Sequence, residues 1–96
     1  MRRHKTRLIY EGKAIEMNPR KAGLVEVVIS ECSDTWVLPV SDRNGKLDRE
    51  KSEVYLKFME QGTEGKYLFK KIITPKRIRD RVFNEYAKNE GNLERD

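Results

Sequence analysis

Residues 24–41, LVEVVISECSDTWVLPVS, constrain the fold more than any other stretch. Two runs rich in β-branched residues flank the polar segment ECSD. Such side chains fit a pleated surface, and two such runs around a short polar break predict a β-hairpin. In the first run Val25, Val27 and Ile29 share one face, while Leu24 and Val28 make the other face apolar too. The returning run places Trp36, Leu38 and Val40 together. Pro39 has no N–H to donate to a ladder, so the second strand either lies at a sheet edge or ends there. A four-residue loop over 31–34 joins the two.

The flanking chain extends this β pattern. Residues 6–17 read as strand, with Glu11-Gly12-Lys13 either a bulge in one long strand or the turn of a small hairpin. NPRKAG, 18–23, is a loop opened by Asn-Pro and closed by Gly23. SDRNGK, 41–46, is the strongest turn signal in the chain. From Asp48 the period changes. Val54, Tyr55, Phe58 and Met59 recur at helical spacing, Glu53 and Lys57 form an i,i+4 pair, and Gly62 is a natural stop, so a helix is expected over 48–61. Residues 66–73 favour strand over helix by a small margin. Thr74 as cap and Pro75 at the first position open a last helix running to Asn89, with Gly91 beyond it.

The expected architecture is α+β: an antiparallel sheet of three to four strands packed by two C-terminal helices. A basic arm (1–7), one domain (8–91) and a frayed end (92–96) divide the chain. A chain of 96 residues buries roughly 60–65% of its unfolded surface, enough for one modest core. Only 36% of residues are apolar against 39% charged, but the apolar ones are clustered, which places the chain among folded domains. The single cysteine, Cys32, excludes an internal disulfide. No run approaches the roughly 20 apolar residues that span a bilayer, and the opening segment does not resemble a signal peptide, so no membrane partner and a cytoplasmic location are expected.

Charge is segregated. Residues 1–7 hold Arg2, Arg3, Lys5 and Arg7 with no acid, and residues 70–81 hold six cations against Asp80 alone. The remainder is net acidic, with 11 basic and 15 acidic side chains. Segregation of this kind is the electrostatic footprint of a phosphate-binding surface. Turned at 100° per residue, the last helix puts Ile78, Val82, Phe83 and Tyr86 on one side and Arg77, Arg81, Asn84 and Lys88 nearly opposite. Arg79 falls among the apolar residues, its stem expected to pack and its head to reach solvent. Lys76, Arg77, Arg79 and Arg81 crowd the helix start, where the dipole disfavours cations by about 0.3–1 kcal/mol each. An external phosphate would reverse that sign, whereas nearby acids would simply neutralise it.

These features point to a small non-enzymatic nucleic-acid-binding protein, with DNA and RNA equally compatible. Its expected contacts are Arg77, Arg81, Lys88, Lys76, Arg79, Lys70 and Lys71, with Arg2 and Arg3 from the arm. The alternative is an adaptor or inhibitor whose basic surface meets an acidic protein partner or a nucleic-acid-handling machine. No cofactor is expected. Cys32 and His4 cannot supply four zinc ligands, and Cys32 sits in an acidic turn that disfavours its thiolate. A metal-dependent nuclease would need a carboxylate beside Glu-x-Lys, for which Asp42 with Glu64-Gly65-Lys66, or Glu11-Gly12-Lys13, is a crude match. A helix-turn-helix over 63–84 is a minor option, because Leu68, Phe69, Ile72 and Ile73 stand where small residues and a turn glycine belong. Of the aromatics available to stack on bases (Tyr10, Trp36, Tyr55, Tyr67 and Tyr86), Trp36 stands out, its strand being expected at an edge.

Overall fold

A computed structural model describes residues 9–30, 32–61 and 65–95. Five strands form one antiparallel sheet: β1 (Ile9–Met17), β2 (Val25–Ile29), β3 (Cys32–Leu38), β4 (Glu53–Gln61) and β5 (Lys66–Ile73). Their order is β1-β5-β4-β3-β2. The link between β1 and β2 therefore carries the chain from one sheet edge to the other. It contains a single helical turn, α1 (Pro19–Ala22), in the segment expected to be a loop. Asn18 caps that turn by accepting from the backbone N–H groups of Arg20 and Lys21, at 3.1 and 3.2 Å. Gly23 ends it at φ 86°, a left-handed conformation that glycine adopts without a Cβ penalty.

The long C-terminal helix α2 (Lys76–Arg95) packs on one sheet face. Antiparallel register aligns Val25, Val37, Val54 and Ile72 in one row across β2, β3, β4 and β5. That row, with Val27, Ile29 and Leu56, meets Ile78, Val82, Phe83 and Tyr86 of α2. The opposite face has its own smaller core of Leu24, Tyr55 and Phe69, flanked by Met17, Trp36, Leu38 and Tyr67. The sheet is thus apolar on both sides, as the first strand's pattern requires.

The hairpin of residues 24–41 forms, with a tighter connection than expected. Ile29 already pairs with Cys32, and a bulge between Val27 and Ile29 restores the register Val27–Thr35. The segment 6–17, within the described residues, is one strand with a bulge at Gly12, whose φ is 76°. Residues 66–73 are strand, which removes the first helix of any helix-turn-helix.

Three expectations are corrected. The segment 48–61 is not a helix: residues 48–52 are a bend and β4 follows. The apolar doublet Val54-Tyr55 arises because β4 is interior, Val54 facing α2 and Tyr55 the second core. The doublet Phe58-Met59 arises because a bulge between Lys57 and Met59 shifts the alternation. Two doublets four residues apart mimic helical spacing. The sheet accordingly has five strands instead of three to four, and one long helix instead of two. Second, β3 is not an edge strand. It pairs with both β2 and β4, so of the two alternatives that Pro39 left the edge placement fails and the other holds: the strand ends at Leu38, immediately before the proline. Third, α2 runs through Gly91 to Arg95, past the expected end at Asn89.

The start of α2 also differs in detail. The Thr74 hydroxyl is buried and makes no hydrogen bond, so the expected side-chain cap is not formed. The Pro75 carbonyl takes the first helical bond, from the Arg79 N–H at 2.9 Å. The segment between β3 and β4 is held by Ser52, which is buried: its Oγ accepts from the Val40 N–H at 2.8 Å and donates to the Asp48 carbonyl at 2.7 Å. Upstream, the Asp42 carboxylate accepts from the N–H groups of Asn44 and Lys46, as the turn signal anticipates.

Candidate nucleic-acid interface

The amphipathic reading of α2 places its side chains correctly. Ile78, Val82, Phe83 and Tyr86 are buried, and Arg77, Arg81, Asn84 and Lys88 are exposed along the opposite face. Lys88 lies eleven positions beyond Arg77, so the stripe extends about 16 Å along the helix axis.

The other predicted contacts divide. Arg79 is structural. Its guanidinium donates to the carbonyl oxygens of Arg49, Glu50 (3.5 Å) and Ser52 (2.7 Å), and lies over the Phe83 ring at 5.0 Å from the centroid. Arg79 is half-buried, and three backbone carbonyls of the 49–52 bend converge on the head expected simply to reach solvent. All three accept from a single guanidinium nitrogen, Nη2. Lys76 pairs with Asp80 at 3.0 Å and Lys88 with Glu85 at 3.3 Å. Arg49 also approaches Asp80, at 3.8 Å, and donates to Asn84 at 2.9 Å. Asp80, on α2 itself, therefore offsets part of the charge at the helix start.

Lys70 and Lys71 are neighbours on β5, so their side chains leave on opposite faces of the sheet. Lys71 pairs with Glu53 at 3.2 Å, and Glu53 also accepts from the Tyr55 hydroxyl at 2.8 Å. Arg2 and Arg3, with the rest of the 1–7 arm, lie outside the described residues, as does Glu64. Asp42, the proposed upstream carboxylate of a nuclease, is committed to its own turn. Among the described residues no helix is long and apolar enough to cross a membrane, and no three His, Cys, Asp or Glu side chains are grouped to hold a metal ion.

The structure brings together cations that linear reading passed over. Arg49 docks on α2 beside Asp80 and Asn84. On the second sheet face, Arg20 of α1 and Lys57 of β4 border a cleft of about 430 Å³ that Trp36 and Tyr67 also line. Two of these have no local signature: Arg49 and Arg20 reach their surroundings through chain crossings. Lys57 was legible only once its segment is read with period two. No protein-family model, no curated protein and no solved structure matches this chain.

Proposed function

We propose that this protein is a non-enzymatic nucleic-acid-binding module that engages phosphates through the solvent face of α2. One observation carries the reading: Arg77, Arg81 and Lys88 stand exposed in a single row, on the face opposite the buried side chains of the same helix. Residues 76–88 hold five cations and two acids, with the excess at the helix start, where backbone N–H groups also favour an anion. A row of this length meets several successive phosphates. Contacts of this kind set affinity and orientation without reading sequence.

Mobility shifts on arbitrary duplex and single-stranded DNA and RNA, over a range of salt, test the proposal. Affinity should fall steeply with salt, and Arg77→Glu with Arg81→Glu should abolish the shift. Equal binding by the doubly reversed protein would remove the stripe as the contact surface. A second reading draws on the pairs Lys76–Asp80 and Lys88–Glu85, which intersperse acids along the helix and suit a mixed-charge protein surface. It takes over if no nucleic acid binds even at low salt, and the same stripe is then the docking face for an acidic protein.

A further inference from the structure

The cleft on the second sheet face combines three kinds of chemistry. Trp36 and Tyr67 stand edge-on against the buried Phe69 ring, with centroids 5.6 and 6.3 Å away and interplanar angles of 85° and 87°. Phe69 is fully buried and fixes their placement from beneath. The Lys57 ammonium lies over the Tyr67 ring, 4.9 Å from its centroid. A ring face that holds a cation is open enough to hold a base instead, since both are drawn to the same π surface. Arg20 supplies a second cation at the cleft wall, and Glu26, which faces Trp36 across the β2–β3 ladder, supplies a carboxylate. The Trp36 indole N–H has no acceptor among the described residues, so packing alone, without a hydrogen bond, sets that ring's orientation.

We infer that this cleft is a binding site for one unpaired nucleotide. The ligand that answers all three features carries a flat ring, an anion and hydrogen-bond donors on the ring edge. A nucleotide has each. Its base stacks on Tyr67 against Trp36, displacing the Lys57 ammonium from the ring face. Lys57 and Arg20 then meet the flanking phosphate. Glu26 accepts from the amine edge of cytosine, adenine or guanine, which an unpaired base leaves accessible. The cleft's volume lies within the ordinary range of small-ligand sites, about 300–1,000 Å³. In a duplex the base edge and faces are occupied, so the site selects single strands. This inference rests on the nucleic-acid reading and adds to it: α2 takes phosphates of any nucleic acid, while the opposite sheet face distinguishes unpaired from paired.

Trp36 is the chain's only tryptophan, so its emission reports the cleft directly. The intact protein is titrated with a short oligocytidylate, with a duplex of the same length, and with cytidine monophosphate alone. The single strand should quench Trp36. Tyr67→Leu and Lys57→Gln should each weaken that binding about tenfold, in line with the stacking contribution of one base, and leave duplex affinity unchanged. Quenching by the mononucleotide as well identifies the nucleotide itself as sufficient; quenching by the strand alone shows that neighbouring phosphates are needed. Both support the site. Strand binding without a change in Trp36 emission, or with wild-type affinity in both variants, overturns the cleft and leaves the α2 reading standing. Quenching by the mononucleotide with no polymer binding overturns the α2 reading and keeps the cleft. Binding of none of the three overturns both.

Discussion

The Arg79 guanidinium lies over the Phe83 ring at 5.0 Å from its centroid, both side chains projecting from α2 toward the sheet side. From there it donates to the Ser52 carbonyl at 2.7 Å and to the carbonyls of Arg49 and Glu50. One side chain thus ties the bend before β4 to the helix that covers the core. The Arg49 guanidinium flanks the same ring at 6.0 Å. Two cations thus meet one aromatic ring, and Asp80 lies beside Arg49 to offset charge there.

Arg79→Leu should therefore destabilise the fold by about 2–3 kcal/mol, the scale of charge-assisted hydrogen bonds lost together with carbonyls left short of partners. Arg79→Lys should recover only part of this: all three carbonyls accept from one guanidinium nitrogen, Nη2, which an ammonium with three donors can imitate, but the planar group over the Phe83 ring is lost. Urea denaturation of the two variants checks this. A lysine variant as stable as the parent would show that charge alone suffices at this position.

Acid sensitivity should centre on Glu53. Burial is the largest single influence on its carboxyl and pushes the pKa up, but hydrogen bonds from Tyr55 and Lys71 and the Lys71 charge together outweigh it, so the group titrates below its ordinary 4.5. Between the depressed folded value and the ordinary one, the unfolded chain binds more protons than the native state, and stability rises with pH. The contribution is fully present above about pH 4.5 and is lost as pH falls through the folded value. Urea midpoints measured across this window should fall with acidification in the parent, and fall less in Glu53→Gln. An identical profile in both would place the acid-sensitive group elsewhere.

Adjacent valines on β2 should respond in opposite ways. Val27 is fully buried against α2, while Val28 is 75% exposed on the other face of the edge strand. Val27→Ala should cost about 1–2.5 kcal/mol through lost burial and the cavity left behind. Val28→Thr should stay within about 0.5 kcal/mol of the parent. Thermal melts of both variants decide whether the two faces are assigned correctly, and a large loss from Val28→Thr alone would reverse them.

The legible parts of this fold are those in which local pattern and tertiary surroundings agree. The 24–41 hairpin and the amphipathic last helix carry their own periods, and Val27, Ile78 and Val82 are buried where those periods place them. β4 was illegible because its pattern is the sum of two faces and a bulge. Val54 and Tyr55 answer to different cores, and no window along the chain separates them. The candidate site divides the same way. Exposure of Arg77, Arg81 and Lys88 follows from helical geometry alone. The structural role of Arg79 depends on a bend 27 to 30 residues away. The pairing of Arg20 with Lys57 across one cleft depends on a sheet order that brings the α1 link beneath β4 and β5.

The exposed stripe on α2 should be separable from the fold's stability. Arg77 and Arg81 are exposed in the first two turns, on the face away from Ile78, Val82 and Tyr86. Ion pairs of exposed side chains are worth about 0–1 kcal/mol, and cations near a helix N-terminus are disfavoured by about 0.3–1 kcal/mol each, so the two effects offset one another. Arg77→Glu with Arg81→Glu places two acids where the dipole favours them and leaves every buried contact in place. The doubly reversed protein should unfold within about 1 kcal/mol of the parent, with the difference shrinking as salt screens the exposed charges. A loss well beyond that would assign the two arginines to the architecture of the helix start, alongside Arg79. Stability retained across the reversal makes any accompanying loss of polyanion binding a property of the stripe itself.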